Sequence, residues 1–517
     1  MALQSVSPSL CSPQTFTTPT IFGAEVLGIT ASPVSNYSVD VLQEFNVNGG
    51  PIKVRNANFC NVTVTYTHPG QNDSINVEAW LPMDTYNGRL QAVGGGGLSA
   101  GRFMVSYNVM AGAVSEGYAT VSTDAGLFGL PSDWAQVSPG NVNQYLLQNF
   151  MSVSLNEQAI IGKSVIQSFY SQLPQFSYFS GCSQGGRQAL MLAQRYPDAY
   201  DGIVASAPAI NWNPLLSMFY WPQLVMNLAG QAPEPCELAA VTEAAIAACD
   251  ADDGVVDGLI SDIESCKFDP FSIVGSSFNC SGVTKQISQI AATVANATWA
   301  GPQSSDGKSL WFGLNRGSLL SGDQRTVAIA STDCSNNGTC VGVPATLATD
   351  WQSQFLNKNP KLDLRNMTQQ EYTRLFLAGN DEYAHIATTN PDLSAFFARG
   401  GKLLGFHGLA DPVIPVGGST KYYDSVTTMT PDVHDHYRLF EAPGLGHCAG
   451  GTGGHPTTTF DALRAWVENA TIPETLPVSF TDPKGTINKR NLCAYPKKQR
   501  YDGSGDPSSA DSFTCSL

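Results

Sequence analysis

One short segment constrains the fold of this chain more than any other. The apolar run at residues 176–180 predicts a strand, Gly181-Cys182-Ser183-Gln184-Gly185-Gly186 follows it, and residues 187–195 have the pattern of a helix. Glycines on both sides of the serine permit a turn that is too tight for side chains and that exposes the serine hydroxyl above a sheet. The amides that begin the helix would then face the oxyanion formed when the hydroxyl attacks a carbonyl carbon. A purely structural glycine-rich turn is the alternative, but the strand–turn–helix context favours a nucleophile at Ser183.

The remainder of the chain alternates strand patterns with helix patterns. Period-2 or apolar runs predict strands at residues 62–66, 75–81, 90–93, 119–124, 201–208, 402–408 and 437–440. Asn72-Asp73 predicts a turn between the first two. Helical periodicity is found at residues 158–172 and 460–468. Strands alternating with helices are typical of a mainly parallel sheet, so the fold class that we predict is α/β.

A long internal segment, residues 209–399, does not follow this alternation. It holds six of the twelve cysteines and few clean strand patterns. Because 517 residues are more than one hydrophobic core usually organises, we interpret the segment as an insertion into the α/β core. We therefore predict a catalytic domain of residues 1–208 and 400–517, and an inserted lid domain of residues 209–399.

Asp411 and His447 are the candidate partners of the serine. A nucleophilic serine needs a base, and the base needs an acid that orients it. After a turn of this kind, the acid and then the histidine follow along the chain. Asp411 comes just after the strand pattern at residues 402–408, and His447 lies in the loop after the last strand pattern. We predict Asp411 as the acid and His447 as the base.

The other six of the seven histidines have weaker claims to be the base. Four of them lie in turn-like or polar contexts and are predicted to be at the surface. These are His68, His434, His436 and His455. His385 falls in the predicted insertion. His407 precedes the candidate acid, and we interpret it as a structural histidine that packs the acid's loop.

Two places are expected to supply donors to the oxyanion. One is the backbone amide of Gln184, the residue after the nucleophile. The other is a loop after an early strand, which Gly94–Gly97 fits because glycine lets the backbone approach the substrate carbonyl. Within this loop we choose Gly96, with Gly95 nearly as suitable; an ordinary flexible turn is the alternative.

Two cysteines adjoin the candidate catalytic residues. Cys182 directly precedes the serine, and Cys448 directly follows the histidine. A hydrogen bond between Ser183 and His447 would bring these cysteines close together, so we predict a disulfide between them. In the loop-entropy model such a bond would stabilise the fold by several kcal/mol, on the order of 5.

Charge limits the classes of partner, and the cysteine content indicates the compartment. A formal net charge of −16 disfavours binding to nucleic acids and to anionic membrane surfaces. The even number of cysteines, together with several potential N-glycosylation sequons, favours an oxidising secretory compartment. The sequons are at Asn36, Asn61, Asn72, Asn279, Asn296, Asn337, Asn366 and Asn469.

Neither a membrane span nor a leader is visible in the sequence. No apolar run reaches the roughly 18 residues of a membrane-spanning helix. The first residues, Met1-Ala2-Leu3-Gln4-Ser5, do not form a basic segment followed by an apolar one. We expect Met1 to be an expression start in place of a removed leader.

The three segments that hold Ser183, Asp411 and His447 resemble the tannase and feruloyl esterase family of fungal and bacterial serine esterases. They are Gly181-Cys182-Ser183-Gln184-Gly185-Gly186-Arg187-Gln188, residues 401–412, and Gly446-His447-Cys448. The family's Cys-Ser–Asp–His-Cys arrangement corresponds here to Cys182, Ser183, Asp411, His447 and Cys448. The resemblance extends over nearly the whole chain. It implies a secreted protein with an α/β-hydrolase core and a large lid, which hydrolyses esters of phenolic acids without an organic cofactor.

The resemblance leaves the acyl group open. Residues 60–66 and 235–249 look like tannases, whereas the insertion is short for a tannase, and a further early cysteine pair of feruloyl esterases is absent here. We predict a feruloyl esterase that cleaves hydroxycinnamoyl esters of the plant cell wall, either as small phenolic esters or linked to polysaccharide. A tannase that cleaves gallate esters is the alternative.

We weigh two other hypotheses, one within enzymes and one non-catalytic. One is another acyl specificity, as in a general carboxylesterase or a peptidase. The second is a non-catalytic binding module on a hydrolase scaffold, but such modules typically lose the serine or the histidine, and both are present here. A monomer and a homodimer are both compatible with the sequence.

The acidic segment at residues 250–259 is a candidate cation site in the predicted lid. It supplies carboxylate and carbonyl oxygens of the kind that hard cations bind, although it does not match EF-hand spacing. From its chemistry alone a solvated turn is the commoner outcome. The resemblance implies a structural calcium ion (Ca2+) that braces the lid. The implied ligands are Asp250, Asp253 and Asp257, with carbonyl oxygens of Val255 and Leu259.

Spacing and the resemblance also imply further disulfides. Cys249 and Cys266 flank the acidic segment and are expected to pair as a brace. The other expected pairs are Cys11–Cys60, Cys236–Cys280, Cys334–Cys340 and Cys493–Cys515.

Overall fold

The computed structural model describes residues 6–322, 327–336 and 339–517. The expected expression start at Met1 and the sequon at Asn337 lie outside the described residues. The strands are β1 Glu25–Val41, β2 Ile52–Thr67, β3 Ile75–Pro82, β4 Arg89–Val93, β5 Ala119–Thr123, β6 Gln136–Ser138, β7 Asn141–Val142, β8 Phe176–Cys182, β9 Gly202–Ser206, β10 Ser277–Cys280, β11 Val283–Gln286, β12 Thr332–Asn336, β13 Thr339–Gly342, β14 Lys402–Gly408, β15 Tyr437–Ala442, β16 Thr475–Thr481, β17 Ile487–Cys493, β18 Lys498–Tyr501 and β19 Phe513–Ser516.

Helices pack around these strands and fill the segment between β9 and β14. The α-helices are α1 Met104–Ser115, α2 Pro131–Trp134, α3 Gln144–Gln148, α4 Ser154–Tyr170, α5 Gln184–Arg195, α6 Trp212–Ala229, α7 Pro235–Cys249, α8 Gln289–Ala300, α9 Thr346–Asp350, α10 Gln369–Glu382, α11 Ser394–Ala398, α12 Val416–Met429 and α13 Thr459–Asn469. Single π-helical turns occupy Asn149–Val153, between α3 and α4, and Trp351–Leu356, after α9.

One mixed sheet organises the molecule. Nine strands lie in the order β1-β2-β3-β5-β4-β8-β9-β14-β15. The six from β5 to β15 in this order run parallel, and β1, β2 and β3 add an antiparallel edge. The α/β prediction is confirmed, and every strand predicted from the sequence belongs to this sheet. The long edge strand β1 is the member that the sequence patterns missed.

Alternating side chains of the central strands enter two separate cores. Phe179, Ile203 and Leu403 pack with α4, α5 and α12 on one face of the sheet. Their chain neighbours Tyr178, Val204 and Leu404 pack with α13 on the other face. Parallel strands end at the same edge of a sheet, so the loops that follow β8, β14 and β15 meet there. These three loops hold Ser183, Asp411 and His447.

The segment that we predict to be a lid, residues 209–399, contributes most of a further buried apolar cluster. Trp212, Leu216 and Trp351 belong to this cluster, which also takes Trp134 and Phe150 from the chain before the nucleophile. The inserted segment is therefore packed onto the core through residues near the π-helical turn Asn149–Val153. The division into two domains stays a prediction.

All twelve cysteines form disulfides, in the six pairs that the sequence and the resemblance implied. The bond between Cys182 and Cys448 spans 266 residues of sequence, the longest separation of the six. Across the described ranges, none of the helices combines the length and the apolar character needed to cross a bilayer.

Candidate active site

Ser183 lies on the turn between β8 and α5 in a strained backbone conformation. Its φ of 63° and ψ of −124° are unusual for a residue with a side chain. The neighbouring glycines are required by space, because a Cβ on Gly181 would lie 2.3 Å from the carbonyl carbon of Gly185. A Cβ on Gly186 would lie 2.3 Å from the Ser206 carbonyl oxygen. The turn therefore has the tight strand–turn–helix form that the sequence predicts around Ser183.

The three candidate catalytic side chains form one hydrogen-bonded chain. Ser183 Oγ lies 2.9 Å from His447 Nε2. His447 Nδ1 lies 2.7 Å from Asp411 Oδ2. A histidine held by a carboxylate on one nitrogen and by a hydroxyl on the other is arranged to remove the hydroxyl proton.

Asp411 is buried and held as a carboxylate. Its side chain is 1% exposed, and its Oδ1 accepts hydrogen bonds of 2.8 Å from the amides of both Val413 and Ile414. Burial alone would raise the pKa of this carboxyl. The nearby His447 and His407 rings, and their hydrogen bonds, more than offset that effect and hold the pKa well below its ordinary value.

His407 is structural, as predicted from its position before the acid. It is fully buried, and its Nδ1 lies 2.8 Å from Ser419 Oγ. Its Nε2 lies 3.1 Å from the Ile414 carbonyl oxygen and 3.3 Å from Asp411 Oδ2. His407 thus fixes the loop that carries Asp411 and places a ring nitrogen beside its carboxylate.

A disulfide joins the turn that carries Ser183 to the loop that carries His447. Cys182 and Cys448 have Cα atoms 6.0 Å apart. Each adjoins a member of the hydrogen-bonded chain, so the bond limits how far Ser183 and His447 can separate. Cys448 has a φ of 60°, which shows that the backbone turns sharply directly after His447.

The Gly94–Gly97 loop lies beside the nucleophile turn, but its amides are engaged. A Cβ on Gly185 would lie 3.0 Å from the Gly95 carbonyl oxygen, so the loop abuts the start of α5. The Gly96 amide donates to the Ser99 carbonyl at 3.1 Å, and the Gly95 amide donates to Gln188 Oε1 at 2.8 Å. Gly96 therefore stays a predicted donor, one that would exchange its present acceptor for a substrate oxyanion.

Arg187 is a buried cation beneath the turn that sequence reasoning left without a role. It is fully buried, and none of its hydrogen bonds goes to a carboxylate. Its Nε donates to Gln184 Oε1 at 2.7 Å and one terminal nitrogen to the Met151 carbonyl at 2.8 Å. Burial lowers the pKa of Arg187 to about 9. The guanidinium fixes the side chain of Gln184 and ties α5 to the π-helical turn at Asn149–Val153.

Two histidines that were predicted at the surface are buried, and those predictions are wrong. His455 is 9% exposed, and its Nε2 lies 2.6 Å from the Val47 carbonyl oxygen. His68 is 6% exposed and lies between two carboxylates. Its Nδ1 is 2.6 Å from Asp73 Oδ2, and its Nε2 is 2.8 Å from Glu157 Oε1. Asp73 is only five residues from His68 and could have indicated this pairing, but Glu157 is distant in sequence.

The acidic segment at residues 250–259 has one feature that fits a cation. Asp257 Oδ2 accepts a 2.7 Å hydrogen bond from Arg490, while Asp257 Oδ1 is buried without a partner. Burial raises the pKa of Asp257 to about 6, and the nearby Asp253 adds to the shift. Asp250 Oδ1 instead accepts the amides of Asp257 and Gly258, each at 3.0 Å. An oxygen-only donor set with an orphaned carboxylate oxygen suits a hard cation such as calcium.

A different group in the described part of the chain brings three potential ligand atoms within 4.8 Å of one another. It consists of Glu234, Cys236 and Cys280. The two cysteines are joined in a disulfide, and Lys285 pairs with Glu234. Disulfide sulfurs are not thiolates, so this group offers a metal little beyond one carboxylate.

Known proteins resemble this chain over almost its entire length. The sequence model of the family described as tannase and feruloyl esterase matches residues 60–516. A relative from Arthroderma benhamiae named "Probable feruloyl esterase" is 42% identical over 468 residues, covering 88% of this chain and 85% of the relative.

Two solved structures share the architecture. Tannin acyl hydrolase from Aspergillus niger is 28% identical with a TM-score of 0.87, covering 100% of this chain and 96% of that one. Feruloyl esterase B from Aspergillus oryzae is 27% identical with a TM-score of 0.76, covering 96% of this chain and 97% of that one. The likeness therefore includes the inserted segment as well as the sheet.

Proposed function

This chain belongs to the tannase and feruloyl esterase family and is a carboxylic ester hydrolase, and we propose that it cleaves phenolic-acid esters through an acyl-enzyme on Ser183. The observation that carries the assignment of residues is the hydrogen-bonded chain from Ser183 through His447 to Asp411, at 2.9 and 2.7 Å. The strained turn that exposes Ser183 supports the same role.

The reaction would proceed in two halves. His447 Nε2 accepts the proton of Ser183 as Oγ attacks the ester carbonyl carbon, and then delivers it to the leaving alcohol. Asp411 accepts the hydrogen bond of the Nδ1–H and stabilises the imidazolium. Water activated by His447 then attacks the acyl-enzyme and releases the acid together with free Ser183.

The oxyanion of each tetrahedral intermediate would be bound by backbone amides. The Gln184 amide lies at the start of α5, where the helix dipole favours negative charge. Arg187 holds the Gln184 side chain at 2.7 Å and so restrains this first turn. The second donor is proposed in the Gly94–Gly97 loop at Gly96, which abuts the turn.

The acyl group is proposed to be hydroxycinnamoyl, with galloyl as the second candidate. The relative that is 42% identical is named for feruloyl esterase activity, whereas the structure with a TM-score of 0.87 is a tannin acyl hydrolase. Rates on methyl ferulate, methyl caffeate, methyl p-coumarate and methyl gallate, measured side by side, separate the two. A strong preference for gallate would make the enzyme a tannase.

Calcium is proposed as a structural ion of the inserted segment. Asp250, Asp253 and Asp257 would hold it with carbonyl oxygens of Val255 and Leu259, and the orphaned Asp257 Oδ1 supports this set. When bound, the cation would neutralise mutual repulsion among these carboxylates. The ion would stabilise the segment without touching the substrate.

We also propose that the protein is secreted and consists of a catalytic domain and a lid domain. Six disulfides are typical of proteins that fold in an oxidising compartment, and they support secretion. In that setting the substrate would be a small phenolic ester or an ester carried by a plant polysaccharide. We keep residues 209–399 as a lid domain over a catalytic domain of residues 1–208 and 400–517.

The assignment of Ser183 is tested by its replacement with alanine. Ser183→Ala should lower kcat on methyl ferulate and methyl gallate by at least about 10⁴-fold, because the nucleophile is lost. Ser425→Ala, on α12 away from the turn, should keep the wild-type rate. Turnover of either ester by Ser183→Ala near the wild-type rate would refute the assignment.

A further inference from the structure

A cavity of about 690 Å³ opens beside His447. One wall belongs to the inserted segment and includes Ile246 and Leu319. The opposite wall belongs to the loops of the acid and the base, and includes Pro412, Val413 and Cys448. This volume lies in the range that encloses most of a drug-sized ligand, and is far more than a methyl group needs.

The cavity lies on one side of the reacting atoms. His447 and the residues that follow it line the cavity, whereas Ser183, Gln184 and the Gly94–Gly97 loop do not. In ester cleavage the carbonyl oxygen faces the oxyanion donors, and the leaving oxygen must come within hydrogen-bond reach of the base that protonates it. A space that borders the base but not the oxyanion donors is therefore placed for the leaving half of the ester.

The lining also restricts the chemistry of that half. Ile246, Leu319 and Val413 present aliphatic surface, and among the described lining residues neither lysine nor arginine occurs. Glu44, an exposed side chain at the rim, is the one carboxylate of this lining. With a formal net charge of −16 on the chain, an anionic alcohol would be repelled.

We propose that this cavity is the leaving-group subsite and selects esters of bulky, uncharged alcohols with an apolar face, of which an aromatic alcohol is the simplest. The inference rests on the proposed roles of Ser183 and His447. It assigns the choice of alcohol to the inserted segment through Ile246 and Leu319. The choice of acid is left to a different part of the site.

A pair of esters with the same acid isolates the alcohol. Methyl and benzyl ferulate give the same acyl-enzyme, so their deacylation rates are equal, and kcat/KM, which covers the steps up to acylation, reports the effect of the alcohol. Methanol and benzyl alcohol leave with similar intrinsic ease. We expect wild-type kcat/KM to be about tenfold or more higher for the benzyl ester, because burial of the ring adds binding in the transition state.

Variants at Leu319 test the wall directly. Leu319→Ala should reduce the benzyl-over-methyl ratio several-fold, roughly five- to tenfold, and Leu319→Trp should bring it to about one by filling the space. Circular dichroism and thermal unfolding verify that both variants fold, so that a changed ratio reports on the cavity. Leu377→Ala is a matched control, because Leu377 lies in the same inserted segment, is 52% exposed and does not line the cavity.

Esters that share an alcohol but differ in the acid test the alternative, in which the cavity holds the acyl group. If the Leu319 variants change the ratio between methyl ferulate and methyl gallate, the cavity holds the acyl group and the proposal is overturned. A benzyl-over-methyl ratio that neither variant changes overturns it as well. In both cases turnover would still depend on Ser183, whereas turnover that survives Ser183→Ala refutes the catalytic assignment itself.

Discussion

His447 and His68 each hydrogen-bond an aspartate, but the other ring nitrogen of each has a different kind of partner. His447 Nδ1 lies 2.7 Å from Asp411 Oδ2 and its Nε2 lies 2.9 Å from Ser183 Oγ. His68 Nδ1 lies 2.6 Å from Asp73 Oδ2, but its Nε2 lies 2.8 Å from a second carboxylate, that of Glu157. The side chains are 23% and 7% exposed, respectively.

The difference between the two sites is the partner of Nε2. Both nitrogens of His68 face carboxylates, an arrangement in which both can donate and which favours the protonated ring. Burial lowers the pKa of His68, but the hydrogen bonds to Asp73 and Glu157 outweigh it and raise the pKa above its ordinary value. His447 faces a hydroxyl instead, so its Nε2 can keep the free lone pair that a base requires. A histidine–aspartate pair alone therefore does not identify a catalytic base.

The largest expected effect separates the two aspartates. Asp411→Asn should lower kcat by about 10⁴-fold, because an amide no longer holds the tautomer of His447 in which Nε2 is free. Asp73→Asn should leave kcat of the folded enzyme within about twofold, yet reduce the free energy of unfolding by roughly 3 kcal/mol because it breaks a buried pair. Steady-state rates and chemical denaturation measure the two outcomes.

The opposite results would contradict the different roles assigned to Asp411 and Asp73. If Asp73→Asn lost activity without losing stability, the His68 network would communicate with the site. If Asp411→Asn kept wild-type kcat, Asp411 would be a structural acid.

A disulfide distinguishes the two histidines further, since it ties the loop of His447 to the turn of Ser183, the proposed nucleophile. Replacing both Cys182 and Cys448 by alanine should lower the free energy of unfolding by about 5 kcal/mol in the loop-entropy model. It should also lower kcat about tenfold, because the two catalytic groups lose their register.

A second disulfide supplies the matched control. Replacing Cys11 and Cys60, a pair that joins the segment before β1 to β2 in the antiparallel part of the sheet, should cost stability but leave kcat of the folded enzyme unchanged. If the pair Cys182→Ala and Cys448→Ala stayed fully active, the brace would be structural only.

Removal of the proposed calcium ion should affect the surroundings of His447 more than those of His68. The Leu259 side chain packs against Gly444, where a Cβ would lie 2.4 Å from Leu259 Cδ2, so the acidic segment supports the loop that leads to His447. Chelation should lower stability by about 3 kcal/mol relative to a 100-fold excess of calcium over its Kd. Thermal unfolding with chelator and with added calcium measures this.

Two variants identify the ligands. Asp257→Asn should abolish the response to calcium, whereas Asp252→Asn, an exposed acid of the same segment outside the proposed set, should keep it. An unfolding midpoint that does not respond to chelator in the wild type would contradict a structural ion.

The smallest expected effect is a pH dependence of the His68 network. The pKa of His68 is raised from 6.5, so its stabilisation is complete below that pH and is lost as pH rises through the raised value. Asp73 acts oppositely, since its pKa is lowered from 3.8 and its contribution is lost in acid. Burial raises the pKa of Glu157 from 4.5, so its charged form is costly.

The His68→Gln variant isolates that dependence. The wild type should exceed it in stability by about 2 kcal/mol between roughly pH 4.5 and 6.5, with the difference shrinking at higher pH. Chemical denaturation across this range is the measurement. A difference that grows as pH rises would show that His68 is neutral in the fold.

Much of the site could be predicted because its signals are local in sequence. The glycines around Ser183, the strand before Asp411 and the cysteines beside Ser183 and His447 are all short-range patterns. The burial of His68 was missed because Glu157, one of its two partners, lies 89 residues away. Arg187 was missed for a similar reason, since its acceptors at Phe150 and Met151 belong to a π-helical turn that no pattern predicted.

The fold shows the same division between local and distant signals. Strands of the parallel sheet were recognisable because they are buried on both faces and read as apolar runs. The edge strand β1 was not, because most of its residues are exposed or half-buried and it is fixed by pairing with β2. The engaged amide of Gly96 depends on a contact with Ser99 that composition alone does not reveal.

His447 is proposed to activate Ser183 and no other serine. Reaction with a serine-directed phosphonate, followed by peptide mass spectrometry, tests it most directly. We expect a single adduct on Ser183, formed at a rate that falls sharply in His447→Ala, while the buried neighbour Ser180 stays unlabelled. An adduct on another serine, or labelling of Ser183 that does not depend on His447, would contradict it.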